Sequence, residues 1–269
     1  MNALALRAAT AVRAPAGPGA GQDDPALLDY FTDLLAPFGQ KPDADLYRRG
    51  AHLHHRDLVD LLLADASVAS ARPDLAIVAH ALPDLAPFTA TAPYLTARLG
   101  GRATNFALTE QGLAAPFTAL RIASAYRKSG QAQQIAIAVL EQSTLPTPSP
   151  LPQAAPLVDS AALLVLDAGT GPGPRFVRAR SADSAGQALQ AELAGPEAEN
   201  TLLVLGPWVT DEIPHHPATH RAEPGGYCTS VWLELAGHWQ DWQHAHHRIV
   251  LCDTDPRTGR THLAVFANG

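Results

Sequence analysis

The sequence is short of several residue types, and each shortage argues against a class of protein. Only Cys228 and Cys252 are cysteines among 269 residues, so no disulfide framework exists and a reducing compartment is expected. The net charge is −7 and no block of Lys or Arg occurs, which argues against a nucleic-acid or anionic-membrane partner. No segment approaches the ~20 apolar residues that span a bilayer. We therefore expect a cytoplasmic protein that binds neither nucleic acid nor membrane.

The N-terminus only faintly resembles a signal peptide. Arg7 and Arg13 interrupt its apolar run, which is too short for a hydrophobic signal core. The alternation of Leu4, Leu6 and Ala8 is instead typical of a first β-strand.

The rest of the chain alternates apolar runs with helical patterns. The runs are continuous, as expected of strands covered on both faces: LAIVA (75–79), IAIAVL (135–140), AALLVL (161–166), TLLVL (201–205), RIVLC (248–252) and HLAVF (262–266). The segments that favour helices are 25–37, 56–70, 112–128, 184–194 and 229–243. This order predicts a layered α/β fold, and the turn-like DPRTGR predicts a hairpin of the last two strands.

Two breaks rich in proline or glycine interrupt this pattern. TLPTPSPLPQAAP (144–156) continues neither a helix nor a central strand. It predicts an N-terminal half, 1–150, and a shorter C-terminal half, 151–269. GTGPGP (169–174) is not a phosphate loop, because it lacks the Lys-Ser/Thr pair and a following helix.

The segment NFALTEQGLAAPFTAL (105–120) has the pattern of a strand end, a tight turn and an apolar helix. Residues 113–126 are apolar all round, which predicts a helix buried on every side. Pro116 suits its first turn and Gly130 its end. Such an elbow usually presents a nucleophile, yet its turn contains no Cys, Ser or Lys.

Five segments in this order resemble the thiolase fold, specifically the ketoacyl synthase III branch of condensing enzymes. They are PDLAIVAHALPDLAPFTATAPYLTARLG (73–100), NFALTEQGLAAPFTALRIASAYRKSGQAQQIAIAVLEQ (105–142), PLVDSAALLVLDAG (156–169), PGGYCTSVWLEL (224–235) and HHRIVLCDTDPRTGRTHLAVF (246–266). The resemblance implies a thiolase-like α/β/α/β/α sandwich built from two related halves, with the C-terminal half shortened. The 105–142 segment supplies the nucleophile elbow, and 156–169 resembles the strand that opens the second half.

The same resemblance implies that the catalytic positions are vacated. The family's elbow Cys corresponds to Gly112 or Leu113. Its His belongs after TLLVL, where Gly206 to Trp208 stand, and its Asn corresponds to Gly226. Three independent losses indicate a chain that performs no Claisen condensation.

The C-terminal half is also shortened. Only about 18 residues lie between the position that corresponds to the family's His and the loop that corresponds to its Asn. Three prolines among these residues forbid a long helix. The chain therefore resembles the inactive small subunit of heterodimeric, alkylquinolone-type condensing enzymes.

This resemblance implies a non-catalytic subunit that pairs with an intact ketosynthase in polyketide or fatty-acid-derived secondary metabolism. A homodimer is the other possible assembly. An acyl carrier protein or CoA thioester would be engaged through the partner, and no cofactor or metal is implied. The alternative is altered chemistry on acyl thioesters, as a malonyl decarboxylase or acyltransferase that uses Gln111, Glu110 or Cys228.

Each alternative residue also has an ordinary structural interpretation. Gln replaces Cys in some malonyl-decarboxylating ketosynthase domains, but those keep two carbonyl-binding His residues, so a turn residue is favoured for Gln111. Glu110 has two interpretations, a general base and a carboxylate that caps the helix, and the cap is favoured because it needs no further partner. Cys228 precedes a helix, a position that lowers a thiol pKa, but a small buried cysteine is the commoner case.

Histidines and tryptophans complete the candidates. Two groups of histidines have only a weak resemblance to the spacing of a metal site. Solvated side chains are therefore favoured for all six of them: His215, His216 and His220 in the first group, and His244, His246 and His247 in the second. Trp232, Trp239 and Trp242 share one helix face and favour the core. Trp208 is expected to fill space that a substrate would otherwise occupy.

Overall fold

The computed structural model describes residues 3–14, 25–48, 50, 52–149, 151, 156–169 and 173–268. Residues 150, 152–155 and 170–172 of the two Pro/Gly breaks lie outside this set, as do the first two residues and 15–17 of the N-terminal segment. Among the described residues, no helix has the length and apolar character needed to cross a membrane.

Ten strands and eight α-helices make up the described chain. The strands are β1 Leu4–Arg13, β2 Leu75–His80, β3 Thr104–Leu108, β4 Gln134–Glu141, β5 Ser160–Asp167, β6 Arg175–Ala182, β7 Thr201–Leu205, β8 Thr219–Arg221, β9 Arg248–Thr254 and β10 Thr261–Ala267. The helices are α1 Pro25–Leu35, α2 Ala44–Arg48, α3 His55–Leu62, α4 Ala66–Ala69, α5 Thr91–Arg98, α6 Ala115–Lys128, α7 Ala185–Leu193 and α8 Ser230–Ala245. Short 3-10 turns occupy Ala36–Phe38, Gly112–Ala114 and Ala198–Asn200.

The strands form one sheet in the order β3-β2-β4-β5-β1-β6-β10-β9-β7-β8. It consists of two five-strand units with the same pairing pattern. In the first unit β2 is parallel to β3 and β4, and β5 is antiparallel to β4 and β1. In the second unit β7 is parallel to β8 and β9, and β10 is antiparallel to β9 and β6. The units meet through a short β1–β6 ladder, Leu4 with Phe176 and Ala5 with Arg175.

Along the chain, the boundary between the two five-strand units therefore lies between β5 and β6. By strand pairing β5 belongs with the first unit, although the segment that contains it resembled the start of the second half. The division of the chain at residue 150 stays a prediction.

Three hydrophobic clusters show how the layers stack. The largest lies between the two units and contains α6 and α8, with inward side chains of β2, β4, β7 and β9 around them. Phe117 of α6 meets Trp232 of α8 edge-to-face at 4.9 Å between ring centroids. α3 and α5 cover the outer face of the first unit, and α7 covers that of the second. The result is the expected α/β/α/β/α sandwich.

The apolar runs all form strands, and the last two form the expected hairpin, but two strands are not predicted. β6, with the sequence RFVRARSA, contains three arginines and a single buried residue, Phe176, so it lacks a continuous apolar run. β8 has only three residues.

The expectation that the elbow helix is buried on every side is wrong. Arg121 and Ala125 of α6 are exposed, because small residues and an arginine tolerate a solvent-facing side. The first two turns of α8 are instead wholly buried, from Ser230 to Ala236. Trp232 and Trp239 are core residues as expected, whereas Trp242 is half-buried.

The contact between the two inner helices provides a test of this packing. Phe117→Ala is expected to lower the free energy of unfolding by about 3–5 kcal/mol, because it leaves a cavity against Trp232. Phe38→Ala, a control at a side chain 75% exposed, should change it by less than about 0.5 kcal/mol. Urea titrations of both variants measure the difference, and equal losses would contradict the layered core.

Candidate functional site

The elbow after β3 is built on two residues in the left-handed region. Glu110 has φ +61° and Gly112 has φ +53°, which turns the chain sharply into the 3-10 turn and then α6. A side chain on Gly112 would overlap Oδ2 of Asp255 and come within 2.7 Å of the phenolic oxygen of Tyr227. Glycine is therefore required here by its surroundings as well as by its conformation.

A buried carboxylate occupies the N-terminus of the elbow helix. The Leu113 N–H donates to Oδ2 of Asp255 at 3.2 Å, and the Tyr227 hydroxyl donates to the same oxygen at 2.9 Å. Oδ1 accepts the Arg257 N–H at 2.8 Å, so Asp255 is also held within its own turn after β9. The positive end of a helix favours such a carboxylate. The donor that an elbow would offer a substrate is already paired.

A second carboxylate makes the reciprocal contact. Glu141, at the end of β4, accepts the N–H groups of Tyr227 at 2.7 Å and Cys228 at 2.6 Å, just before α8. Burial raises the Glu141 pKa to about 7 against the opposing effect of these donors. Each five-strand unit thus supplies the carboxylate that binds the backbone ahead of the other unit's inner helix.

The positions that the resemblance assigned to His and Asn touch each other directly. The Trp208 indole N–H donates to the Gly226 carbonyl at 2.9 Å. The Trp208 ring lies edge-on to Tyr227, with centroids 6.2 Å apart. Tyr227 itself is fully buried. It lies between Gly112 and Trp208, so these positions converge around its side chain.

Asp253, a buried residue of β9, also contacts Trp208. It accepts hydrogen bonds from the Ser230 hydroxyl at 2.9 Å, the Trp208 N–H at 3.2 Å and the Thr254 N–H at 2.9 Å. A side chain on Gly206 would overlap its carboxylate. Burial raises the Asp253 pKa to about 7. Asp253 and Trp208 are thus joined through the Trp208 backbone N–H, and the expectation that Trp208 fills substrate space stays a prediction.

The alternative candidates lie in two different environments. Glu110 and Gln111 are both exposed at the turn. The expectation that Glu110 caps the helix is wrong, because Asp255 from the distant hairpin accepts the Leu113 N–H instead. Cys228 is buried, and burial, followed by the nearby Glu141, raises its thiol pKa well above the usual value. That shift is opposite to the lowering expected of a reactive thiol.

The histidine clusters are not uniformly solvated. His215, His244 and His247 are exposed, whereas His216, His220 and His246 are half-buried. His216 Nε2 lies 2.6 Å from the Thr201 carbonyl. His220 lies apart from its sequence neighbours, with Nε2 2.7 Å from Oε2 of Glu234 on α8.

Sequence reasoning missed the four residues that fill the site, Tyr227, Asp255, Glu141 and Asp253. One signal for the carboxylates was present, since IAIAVLE and RIVLCDTD both end a buried apolar strand in acidic residues. A carboxylate that ends a central strand faces an interior where it needs donors. No local pattern marked Tyr227.

Comparisons with known proteins agree on the fold. No protein-family model and no curated protein matches the chain. Among solved structures, cerulenin-bound OleA of Xanthomonas campestris is 14% identical with a TM-score of 0.64, and the match covers 98% of both chains. FabH of Pseudomonas aeruginosa, a 3-oxoacyl-(acyl carrier protein) synthase III, is 17% identical with a TM-score of 0.58 over 99% of this chain and 98% of its own. The synthase III of Aquifex aeolicus is 14% identical with a TM-score of 0.58, over 98% of this chain and 99% of its own.

At these identities the likeness shows the fold. The chain has the thiolase-like α/β fold, with a mixed ten-strand sheet and helices, that these condensing enzymes share.

The raised pKa of Asp253 predicts a pH-dependent stability. In the unfolded chain an aspartate titrates near its ordinary pKa of ~3.9, so between about pH 4 and 7 the folded state keeps a proton that the unfolded state releases. The free energy of unfolding should therefore fall as pH rises through this window, by roughly 2–4 kcal/mol from this group. Asp253→Asn should make the free energy of unfolding fall less steeply with pH, because an amide does not titrate. Its oxygen can accept the same two N–H groups.

Urea titrations at several pH values between about 4 and 8 measure this contribution. Glu141 titrates in both proteins, so its contribution cancels in the comparison. Asp241→Asn, at an exposed aspartate, is the control and should follow the wild type. If Asp253→Asn declines as steeply as wild type, Asp253 is not protonated in the folded chain.

The hydrogen bond between Tyr227 and Asp255 gives a second test. Tyr227→Phe should lower the free energy of unfolding by about 1–3 kcal/mol, because it removes a donor from a buried carboxylate. Tyr94→Phe is the matched control, since its hydroxyl donates to Asp60 at 2.8 Å in a half-buried position where water can replace it. A loss no larger than the control's, measured by urea unfolding, would argue against the buried network.

Proposed function

We propose that this chain is a non-catalytic, ketosynthase-III-like subunit that pairs with an intact condensing enzyme in polyketide or fatty-acid-derived secondary metabolism. The observation that carries the proposal is the network of Asp255, Tyr227 and Leu113 at the elbow. It fills the place where an acyl-accepting side chain would stand.

Acyl transfer needs a nucleophile and donors aimed at the oxygen on which charge develops. Gly112 and Leu113 supply no nucleophile, and the Leu113 N–H is paired with Asp255. A carboxylate at this point would repel a developing oxyanion instead of stabilising it. The Trp208 indole N–H is likewise paired, with the Gly226 carbonyl. These contacts support a structural role for the elbow.

The sheet edge next to the elbow supports pairing with a second chain. In the part of the chain that the structure describes, β3 pairs only with β2 and ends the sheet. It leads directly into the elbow, so a partner strand or helix placed there would contact both. An unpaired edge strand is a ready template for another chain. An intact ketosynthase is the proposed partner, with a homodimer as the other assembly. An acyl carrier protein or CoA thioester would be engaged through the partner.

A second candidate function is altered chemistry on acyl thioesters, as a malonyl decarboxylase or acyltransferase. The observation that favours it is the left-handed backbone of Glu110, which is exposed beside Gln111. Non-glycine residues held in this conformation cluster at functional sites. Cys228 would have to act from a fully buried position with a raised thiol pKa.

An acylation assay separates the two functions. The purified chain is incubated with malonyl-CoA or acetyl-CoA, and its intact mass and CO2 release are followed beside an active ketosynthase as positive control. We expect no mass increase and no CO2, because the elbow has no free nucleophile or oxyanion donor. Turnover that is lost in Glu110→Gln or Gln111→Ala would favour the altered enzyme over the non-catalytic subunit.

Co-expression with an intact ketosynthase, chosen from the genes that adjoin this chain's gene where one is present there, tests the pairing. A one-to-one complex on size-exclusion chromatography, and higher activity of the ketosynthase in the complex than alone, is the expected result. A ketosynthase from an unrelated pathway serves as the control. Separate elution of both chains, with unchanged ketosynthase activity, would reject the subunit role.

A further inference from the structure

Three metal-ligating side chains converge at the surface beside β8 and α8. His220 Nε2 lies 2.7 Å from Glu234 Oε2, and His238 Nε2 lies 3.8 Å from the same oxygen. One ligand atom from each residue falls within 4.8 Å of the others. We refer to these residues as the His-Glu-His cluster.

The fold brings the cluster together from two elements. Glu234 and His238 are four residues apart on α8, so they stand one above the other on the same side of the helix. His220 lies in β8, the last strand of the sheet. Trp242, one turn further along α8, packs on both imidazoles, with centroids 5.2 Å from His220 and 5.3 Å from His238.

The two oxygens of Glu234 have different neighbours. Arg13 donates to Oε1 at 3.2 Å, while Oε2 faces both imidazole Nε2 atoms. The carboxylate is largely buried, at 8% exposure, and so is fixed in this orientation. Oε2 therefore faces one ring nitrogen of each histidine.

We propose that His220, Glu234 and His238 form a binding site for a divalent transition-metal ion such as Zn2+. Two imidazoles and one carboxylate are a donor set that zinc accepts, with water in the fourth position. Zinc–ligand bonds of about 2.0–2.1 Å place tetrahedral ligand atoms about 3.3 Å apart. The two measured separations bracket that value, and His238, with a side chain 50% exposed, has room to adjust.

Such an ion would fasten β8 to α8. β8 is a three-residue strand at the sheet edge, paired only with β7 in the described chain. An ion that bridges it to α8 would hold the connection between β7 and α8, which contains Trp208 and Gly226. The site is separate from the elbow and does not depend on the proposed function.

Metal titration of the metal-stripped full chain tests the site. Zinc is added while heat and tryptophan fluorescence are recorded, since Trp242 contacts both imidazoles. The wild type should bind one zinc ion per chain with a change in fluorescence. His220→Ala and His238→Ala should each weaken binding at least about tenfold, and the double variant should lose it, because a ligand is removed each time.

The matched control removes two histidines outside the cluster, as His244→Ala with His247→Ala, both exposed. This control should bind zinc as the wild type does. Zinc should also raise Tm in the wild type and control but not in the His220→Ala/His238→Ala variant. Circular dichroism establishes that each variant is folded.

Two outcomes would overturn the proposal. One is that the wild type shows no saturable zinc binding. The other is that the folded double variant binds zinc as tightly as the wild type.

Discussion

The structure depends on an exchange of buried carboxylates between its two halves. Asp255, just after β9, accepts the N–H at the start of the α6 segment, and Glu141, at the end of β4, accepts two N–H groups before α8. The first groups of a helix lack partners within it, and burial without other acceptors would cost free energy. Each half therefore supplies an acceptor to the backbone that leads into the inner helix of the other half, which links the two five-strand units beside α6 and α8.

The same exchange accounts for the filled site. Tyr227 donates its backbone N–H to Glu141 and its hydroxyl to Asp255, so one residue joins both carboxylates. Its hydroxyl and the Asp255 carboxylate take the volume that a side chain on Gly112 would need. The Trp208 indole N–H donates to the Gly226 carbonyl beside it. The residues at the three positions that the resemblance pairs with catalytic side chains therefore belong to a single packing arrangement with Tyr227 and Asp255.

Sequence periodicity predicted the fold better than the site, for a physical reason. Central strands such as β4 and β5 are covered on both faces, so their burial appears as a continuous apolar run. β6 is half-exposed and charged, and leaves no such signal. The contact of Leu113 with Asp255 spans 142 residues, so local capping rules pointed to Glu110 instead. The positions that the resemblance pairs with catalytic side chains lie near one another, yet no motif indicated that Tyr227 would occupy the space between them.

A nucleophilic side chain introduced at the elbow would disturb this packing. A cysteine at position 112 would have to adopt φ +53° and displace the Asp255 carboxylate and the Tyr227 hydroxyl. Those two groups also pair the Leu113 N–H and connect to Glu141 through Tyr227, so displacing them would uncouple the helix starts from the opposite half. In this chain the groups that occupy the elbow also connect the two halves. A larger side chain at position 112 is therefore expected to lower stability, which agrees with the proposed packing role of the elbow.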